Sequence, residues 1–464
     1  METDSPLLAP PEQVLSTLNP DGTRKWVRPK VAMGRWWRRR QIVAWVLIVL
    51  FTLVPWLEIG GKPVMRLDFL DRQFVFFGTT FDPTDTLLLT FLLLSIFLSI
   101  FFLTALFGRV WCGWACPQTV YLEFLFRPIE RFLEKMGKRH GPRTMRVAHG
   151  VKWVVYAALA LHLANTFISY FVGPRTVLHW SFSSPALHPA AFSVVMVVTV
   201  LILIDFGWFR EQMCTLVCPY ARLQSVLLDE DSLIVAYDER RGEPRGKLKA
   251  KDGAHGDCID CKLCVAACPT GIDIRDGLQL ECIACTQCID ACDAVMDKIE
   301  RPRGLIRYTS KRALRGERPR LLRPRVVLYP LLILGSLSAL TIGVHNRDET
   351  LVRVLRVQNT PFVVQDDGSV LNPVRVMVAN RSDEARTYEL RLTSPEGGRL
   401  LAPMFPLSVP AGEERDVVVQ TILPGSAFHD GRAGARLELV DDTGAVRTLE
   451  HTLAGPLGAA GEPR

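Results

Sequence analysis

Apolar residues in this chain are gathered into five long runs, roughly 42–59, 86–107, 152–172, 190–209 and 326–344. Each is close to the ~20 helical residues that a hydrocarbon core requires, so the pattern predicts five transmembrane helices. Past the last run the period shortens to two. Residues 348 to 456 read as short alternating strands, among them Val352–Val357, Val374–Val378, Tyr388–Leu392 and Val417–Ile422. The turn Asp441–Asp442–Thr443–Gly444 predicts a hairpin joining Arg436–Val440 to Val446–Thr452. About 100 residues of this pattern predict an immunoglobulin-like β-sandwich. Its segment carries neither cysteine nor lysine, so neither disulfides nor a metal site can be argued for it, and docking or stabilisation is its expected role.

Charge orients the runs. Residues 24 to 40 hold eight Lys or Arg and no acid, whereas the loop 60–84 balances three basic residues against three acidic ones. The loop from Arg109 to Lys152 and the segment 210–325 are again basic, and the loop 173–189 holds only Arg175. The positive-inside rule then places the N-terminus and residues 210–325 in the cytoplasm and the C-terminal domain on the far side. The first 40 residues lack the apolar core of a cleavable signal, so the first run is expected to stay as an anchor. Trp36, Trp37, Trp56, Trp111, Trp114, Trp153 and Trp208 fall near run ends, as an interfacial belt does in any membrane protein. The basic stretches adjoin membrane-length runs, which argues against nucleic-acid binding.

All 12 cysteines lie between Cys112 and Cys292. They form two quartets and two pairs, which are local ligand sets rather than a disulfide framework, and thiolate ligands point to a reducing compartment. The quartets are Cys258, Cys261, Cys264, Cys268 and Cys282, Cys285, Cys288, Cys292, the second repeating the first at an offset of 24 residues (Cys258 to Cys282). Each follows C-x2-C-x2-C-x3-C, the run in which three close cysteines grip one [4Fe–4S] cubane and the fourth reaches to its neighbour. That rule pairs Cys258, Cys261, Cys264 and Cys292 on one cluster and Cys282, Cys285, Cys288 and Cys268 on the other. Zinc also favours tetrahedral thiolate, but the interleaved spacing speaks for iron–sulfur. Pro269 follows the first quartet, and Asp293 stands where the second would have proline.

The pairs occur in W-C-G-W-A-C-P (Cys112, Cys116, Pro117) and M-C-T-L-V-C-P (Cys214, Cys218, Pro219). Each follows an apolar run ending in Phe-Gly, at Phe107–Gly108 and Phe206–Gly207, so the first two spans are read as repeated by the next two. Cysteines at i and i+4 share a helix face. Together they offer four soft thiolates at the membrane edge, suited to Cu(I), zinc or iron–sulfur iron; the matched spacings, prolines and positions favour a redox or metal role over plain packing, and spacing does not choose the metal. His162, Asn165 and Asp205 are intramembrane polar residues of lesser weight, His162 being read as a packing histidine.

The motifs Trp111 to Pro117 and Cys214 to Tyr220, the stretches Tyr237–Asp238 and Arg241 to Gly246, and both quartets resemble the cytochrome c oxidase accessory family called CcoG, FixG or RdxA. The resemblance runs over nearly the whole chain. It implies a multi-pass protein of the bacterial inner membrane that passes electrons through two [4Fe–4S] clusters to reduce Cu(II) to Cu(I). That activity would serve assembly of a haem–copper oxidase, with copper chaperones or assembly factors as partners and an unidentified electron donor. On this reading Cys258 to Cys292 ligate the clusters, while Cys112, Cys116, Cys214 and Cys218 handle copper. A quinol-linked relay subunit and a non-enzymatic copper scaffold are the competing classes. The expected domains are 1–41, a basic cytoplasmic segment; 42–209, a four-span module; 210–325, ferredoxin-like; 326–344, the fifth span; and 345–464, the Ig-like domain.

Overall fold

A computed structural model describes residues 16–19, 21, 23–69, 73–81, 85–247, 255–320, 322–357, 361–382 and 384–456. The first and last stretches of the expected terminal domains, 1–15 and 457–464, lie outside the described residues. The chain divides into two compact units, Met1–Thr341 and Ile342–Arg464.

Among the described residues, five helices are long and apolar enough to cross a membrane: Arg35–Trp56, Thr86–Phe107, Pro142–Val172 and Pro189–Phe209 in the first unit, and Pro324–His345, whose last turn passes into the second. Their outer faces are apolar and exposed, as at Ile42, Leu93, Val197 and Leu331, which is the composition lipid would cover. Polar side chains within them turn inward on their own backbone. Ser95, Ser99 and Thr104 each donate to the carbonyl four residues back, and Ser95 also donates to Ser336 at 3.0 Å, joining the second helix to the fifth. The third helix begins ten residues before its apolar run, at Pro142, and spans 31 residues, roughly 46 Å at 1.5 Å per residue. Its basic first part packs against Arg127–His140, the amphipathic helix that precedes it. The loop 60–84 carries a small sheet of Met65–Asp68, Gln73–Phe76 and Thr79–Phe81.

The cysteine-rich segment folds around an antiparallel pair, Ile234–Tyr237 with Ile306–Thr309, and two short helices, Leu263–Ala267 and Gln287–Lys298. Val235, Ile272, Ile274, Ile289, Val295, Met296, Leu305 and Ile306 form its core. The N-terminal segment, read only as a basic tail, instead straps this core. Lys30 N donates to Ala266 O at 2.8 Å, Ala32 N to Gln287 Oε1 at 3.1 Å, and Ser16 Oγ to Thr270 O at 2.8 Å.

In the second unit, two sheets among the described residues make the expected sandwich. One has Arg399–Leu401, Glu414–Pro424, Ser369–Asn380 and Thr350–Arg356 in that order. The other has Leu407–Val409, Arg386–Ser394, Arg432–Asp441 and Val446–Ala454. Val374, Val376 and Val378 face Leu437 and Leu439 in the core, alternating with outward residues as the pleat requires. The hairpin pairs Val440 with Val446, and Asp441 Oδ1 accepts from Thr443 N and Ala445 N with Gly444 at φ +84°.

Candidate metal centre

Each quartet curls its backbone in the same way. Asp260 and Lys262 in the first, and Ala284 and Thr286 in the second, are non-glycine residues at positive φ, between +50° and +66°. The 24-residue repeat is therefore a repeat of conformation as well as of sequence. Left-handed backbone at an L-residue costs roughly 1 kcal/mol or more, and paying it twice at matching positions turns successive amides toward a common centre.

Those loops and the helices after them enclose two cavities. One is lined by Cys258, Cys261, Cys264 and Cys292, with Ile259, Val295 and Leu305 closing its sides. The other is lined by Cys268, Cys282, Cys285 and Cys288, with Cys264 at the boundary. The interleaved sets expected from spacing are thus the sets that meet in space. Arg275 holds the first loop in place by ion pairs to Asp260 and Asp273, both at 2.6 Å. Burial pushes the Cys264 thiol up to about 11 and the Cys292 and Cys285 thiols up to about 12, and it raises Cys282 and Cys288 as well. Bare thiols in these cavities would stay protonated at neutral pH, so a cationic centre is needed to hold them as thiolates.

Positive charge outside the cavities supports the fit. Arg40 is 1% exposed, donates from Nε to Gly113 O at 2.9 Å, and has no partner for either terminal nitrogen among the described residues. It lies within electrostatic reach of Cys285. Arg109, which donates to Leu280 O, reaches Cys282 and Cys112. Neither arginine stands in a recognisable motif, although Arg109 precedes the first Trp-Cys pair.

The membrane-edge pairs sit directly against the second cavity. Cys112 packs with Ile283 and Cys285, and Cys214 and Tyr220 adjoin the same cluster. Cys214 feels the charges of Cys116, Cys112 and Cys218, and Cys116 that of Cys218, so the structure brings all four together. It does not place them on one helix face. Cys112 sits in the middle of the short helix Val110–Trp114, while Cys116 is extended at φ −62°, ψ 125°. Cys218 is likewise extended, at φ −67°, ψ 109°, after a π-turn over Met213–Val217. Pro117 and Pro219 are the reason, since proline pushes the preceding residue out of the helical region. The Phe-Gly correspondence also shifts. Gly108 and Arg210, each four residues before its first cysteine, share one unusual conformation (φ 57°, ψ −126° and φ 54°, ψ −120°), while Phe206–Gly207 lies inside a π-turn.

Cys112 donates to Gln224 Oε1 at 2.9 Å, and Gln224 Nε2 in turn meets Tyr220 Oη at 2.7 Å. Burial pushes the Cys112 thiol up to about 11 and raises Cys116 and Cys214. Among the described residues, no three His, Cys, Asp or Glu side chains converge tightly enough for a single metal ion, here or in the quartets. His162 leaves its carbonyl to Thr166 Oγ1 in a ladder within its helix, and Asp205 accepts from Gln118 Nε2 at 2.9 Å.

Three family models match this chain: a 4Fe–4S dicluster domain over residues 209–311, a 4Fe–4S binding domain over 89–136, and the IG-like fold at the C-terminal of FixG over 340–456. Proteins RdxB and RdxA of Cereibacter sphaeroides are each 36% identical to it, covering 84% and 86% of this chain and 87% and 90% of their own. The nitrogen fixation protein FixG of Rhizobium meliloti is 33% identical over 94% of both chains. The chain belongs to the FixG/RdxA family. It is an iron–sulfur protein of this family with an Ig-like C-terminal domain, as the sequence led us to expect. A crystal structure of a FixG-related protein from Vibrio parahaemolyticus overlays 24% of the chain at TM-score 0.22 and 16% identity, too low to carry weight.

Proposed function

We propose that this FixG/RdxA-family chain is a cupric reductase of the bacterial inner membrane, supplying Cu(I) for assembly of a haem–copper oxidase. The observation that supports it is the direct packing of Cys112 on Cys285, which brings one cysteine-lined cavity against a set of four membrane-edge thiols. Bound to the quartets, iron–sulfur clusters supply one-electron transfer, and Cu(II) to Cu(I) is a one-electron step without proton or bond change. Cys258, Cys261, Cys264 and Cys292 would hold one cluster and Cys282, Cys285, Cys288 and Cys268 the other. The basic segments favour a cytoplasmic lobe, and there a one-electron reductant would be oxidised as Cu(II) is reduced.

Ile283, Ile289 and Val295 pack around the cavities and keep water from them, and Gly113 lets the two thiol regions touch. Soft sulfur at Cys112, Cys116, Cys214 and Cys218 favours Cu(I) over Cu(II) at the exit.

The test is stopped-flow mixing of dithionite-reduced protein, freed of excess reductant, with Cu(II), following cluster absorbance and a Cu(I) chelator together. Cu(I) should appear in proportion to cluster reoxidation and should be lost when Cys258 and Cys282 are replaced. Clusters that stay reduced in the presence of Cu(II) would reject this reading in favour of a quinol-linked relay or a copper scaffold.

A further inference from the structure

The stretches 237–238 and 241–246 carry no cysteine, yet they fold against one ligand of the first cavity. Cys258 N donates to Gly242 O at 3.4 Å, Gly246 N to Cys258 O at 3.1 Å, and Asp257 N to Arg241 O at 2.9 Å. The loop is therefore laced to the start of the first quartet by main-chain bonds. Ion pairs from Arg241 and Arg301 to Asp257 hold the same junction, the second at 3.4 Å. This frame positions one aromatic side chain. Tyr237 ends the buried strand Ile234–Tyr237, is 5% exposed, and lines the first cavity beside Cys258. Gly242 makes room for it, since a Cβ there would collide with the Tyr237 ring and hydroxyl.

The Tyr237 hydroxyl donates to Glu243 Oε1 at 3.1 Å and lies within hydrogen-bonding reach of the Cys258 side chain. A hydroxyl has one proton to give, so two acceptors compete for it. Glu243 has other donors: its Oε2 accepts from Arg245 N at 2.9 Å, and its Oε1 pairs with the Arg245 guanidinium at 3.0 Å. Cys258 is 8% exposed, and as a cluster ligand it is a thiolate in an apolar cavity, where an anion gains most from a donor. The partner strand shows the opposite arrangement. Tyr308, which faces Val235 across the pair, gives its proton to a main-chain oxygen, Ala284 O, at 3.0 Å.

We propose that Tyr237 is a positioning residue of the first cluster, donating its hydroxyl proton to the Cys258 sulfur in the loaded protein, with Glu243 as the competing acceptor that moderates the bond. It rests on the iron–sulfur reading of the quartets and not on the copper reading. Reduction adds negative charge that the cluster and its sulfurs share. A donor at Cys258 therefore stabilises the reduced form and raises the potential of this cluster. The family-marking loop 241–246 thus acts through a hydrogen bond, and its effect belongs to the first cluster alone.

The experiment is an EPR-monitored redox titration of the full chain, reconstituted anaerobically in detergent without copper, with iron counted in every variant. Cys261→Ser, a ligand change confined to the first quartet, identifies the wave of the first cluster. Tyr237→Phe keeps the ring and should lower that potential, with iron content and the second wave unchanged. Glu243→Gln should raise it, and by less when combined with Tyr237→Phe, because the two side chains share one proton. If Tyr237→Phe loses iron, 3-fluorotyrosine at position 237 decides: it keeps the ring, donates more strongly, and should raise the first potential. A first wave unmoved by the decisive change at position 237, two waves that move together, or a Glu243→Gln shift of equal size in both backgrounds overturns the proposal and leaves both clusters standing. A chain that assembles no cubane overturns it together with the iron–sulfur reading.

Discussion

Arg40 is the residue whose surroundings make least sense without a bound anion. Burying an unpaired guanidinium costs several kcal/mol, and both its terminal nitrogens lack partners among the described residues. Its charge falls on Cys285 and Tyr308, and its side chain lies over Phe124 at 5.4 Å. A thiolate-ligated cluster beside Cys285 would answer that charge, and net charge near a cluster sets its potential. We expect Arg40→Met to lower the reduction potential of the cluster at Cys268, Cys282, Cys285 and Cys288, since the reduced form carries the extra negative charge. Arg40→Lys should shift it less. An EPR-monitored redox titration that shows both clusters moving together, or neither moving, would reject this assignment. The thiols themselves give a second test. Burial raises the pKa of Cys264 to about 11 and of Cys292 to about 12, so both are neutral at pH 7 in the empty protein. Loading iron must displace their protons. Reconstitution should therefore release protons and become faster as pH rises from about 7 to 9, readable with an indicator dye in weak buffer. Proton-neutral loading would mean that the thiols are already ionised.

The ferredoxin-like lobe meets the first helix and the short helix Val110–Trp114 at single residues. Asp290, inside the second quartet, accepts from Trp36 N at 3.2 Å and Trp37 N at 2.7 Å, capping a helix whose own N-cap, Gly34, supplies no side chain. Loss of such a cap costs ~1 kcal/mol. Asp290→Ala should then loosen the lobe without removing a ligand, seen as faster hydrogen exchange at residues 35–38 with iron content unchanged. Gly113 makes the other joint. A Cβ there would lie 2.5 Å from Ile283 O and 2.9 Å from Cys285 Cα, backbone atoms that cannot rotate aside. We expect Gly113→Ala to strain the contact by about 1–3 kcal/mol, and to speed iron loss to a chelator from the second quartet more than from the first. The sequence made the quartets, their interleaving and the five apolar helices legible because each is a pattern of spacing. It hid the strap, since Lys30 N to Ala266 O is a main-chain bond that any residue can make. It misplaced the second cysteine of each pair, although Pro117 and Pro219 were in plain view. The i, i+4 argument assumes a continuous helix, and proline had already broken it.

At the scale of the whole molecule the chain is two units with different chemistry, and only one holds the cysteines. The strands of the second unit were legible where they alternate strictly, as in Val374–Val378 and Val417–Ile422. The short ones, Arg399–Leu401 and Leu407–Val409, were not, because three residues carry too little period to read. The second unit has its own core and its own buried hydrogen bond, Thr350 Oγ1 with Tyr388 Oη at 3.1 Å, so it meets the requirement for folding alone. Residues 345–464 expressed separately should unfold in urea as one cooperative transition. Leu437, 1% exposed, should cost ~2–5 kcal/mol when changed to alanine. Val418, on the neighbouring sheet but 52% exposed, should cost within about 0.5 kcal/mol for the same change. A fragment that shows no cooperative transition, or in which the two substitutions cost alike, would mean that the sandwich depends on the membrane-facing unit for its core. If the fragment behaves as expected, the complementary chain ending after His345 should keep all of its iron, because every thiol and every cation argued to hold it lies before that point.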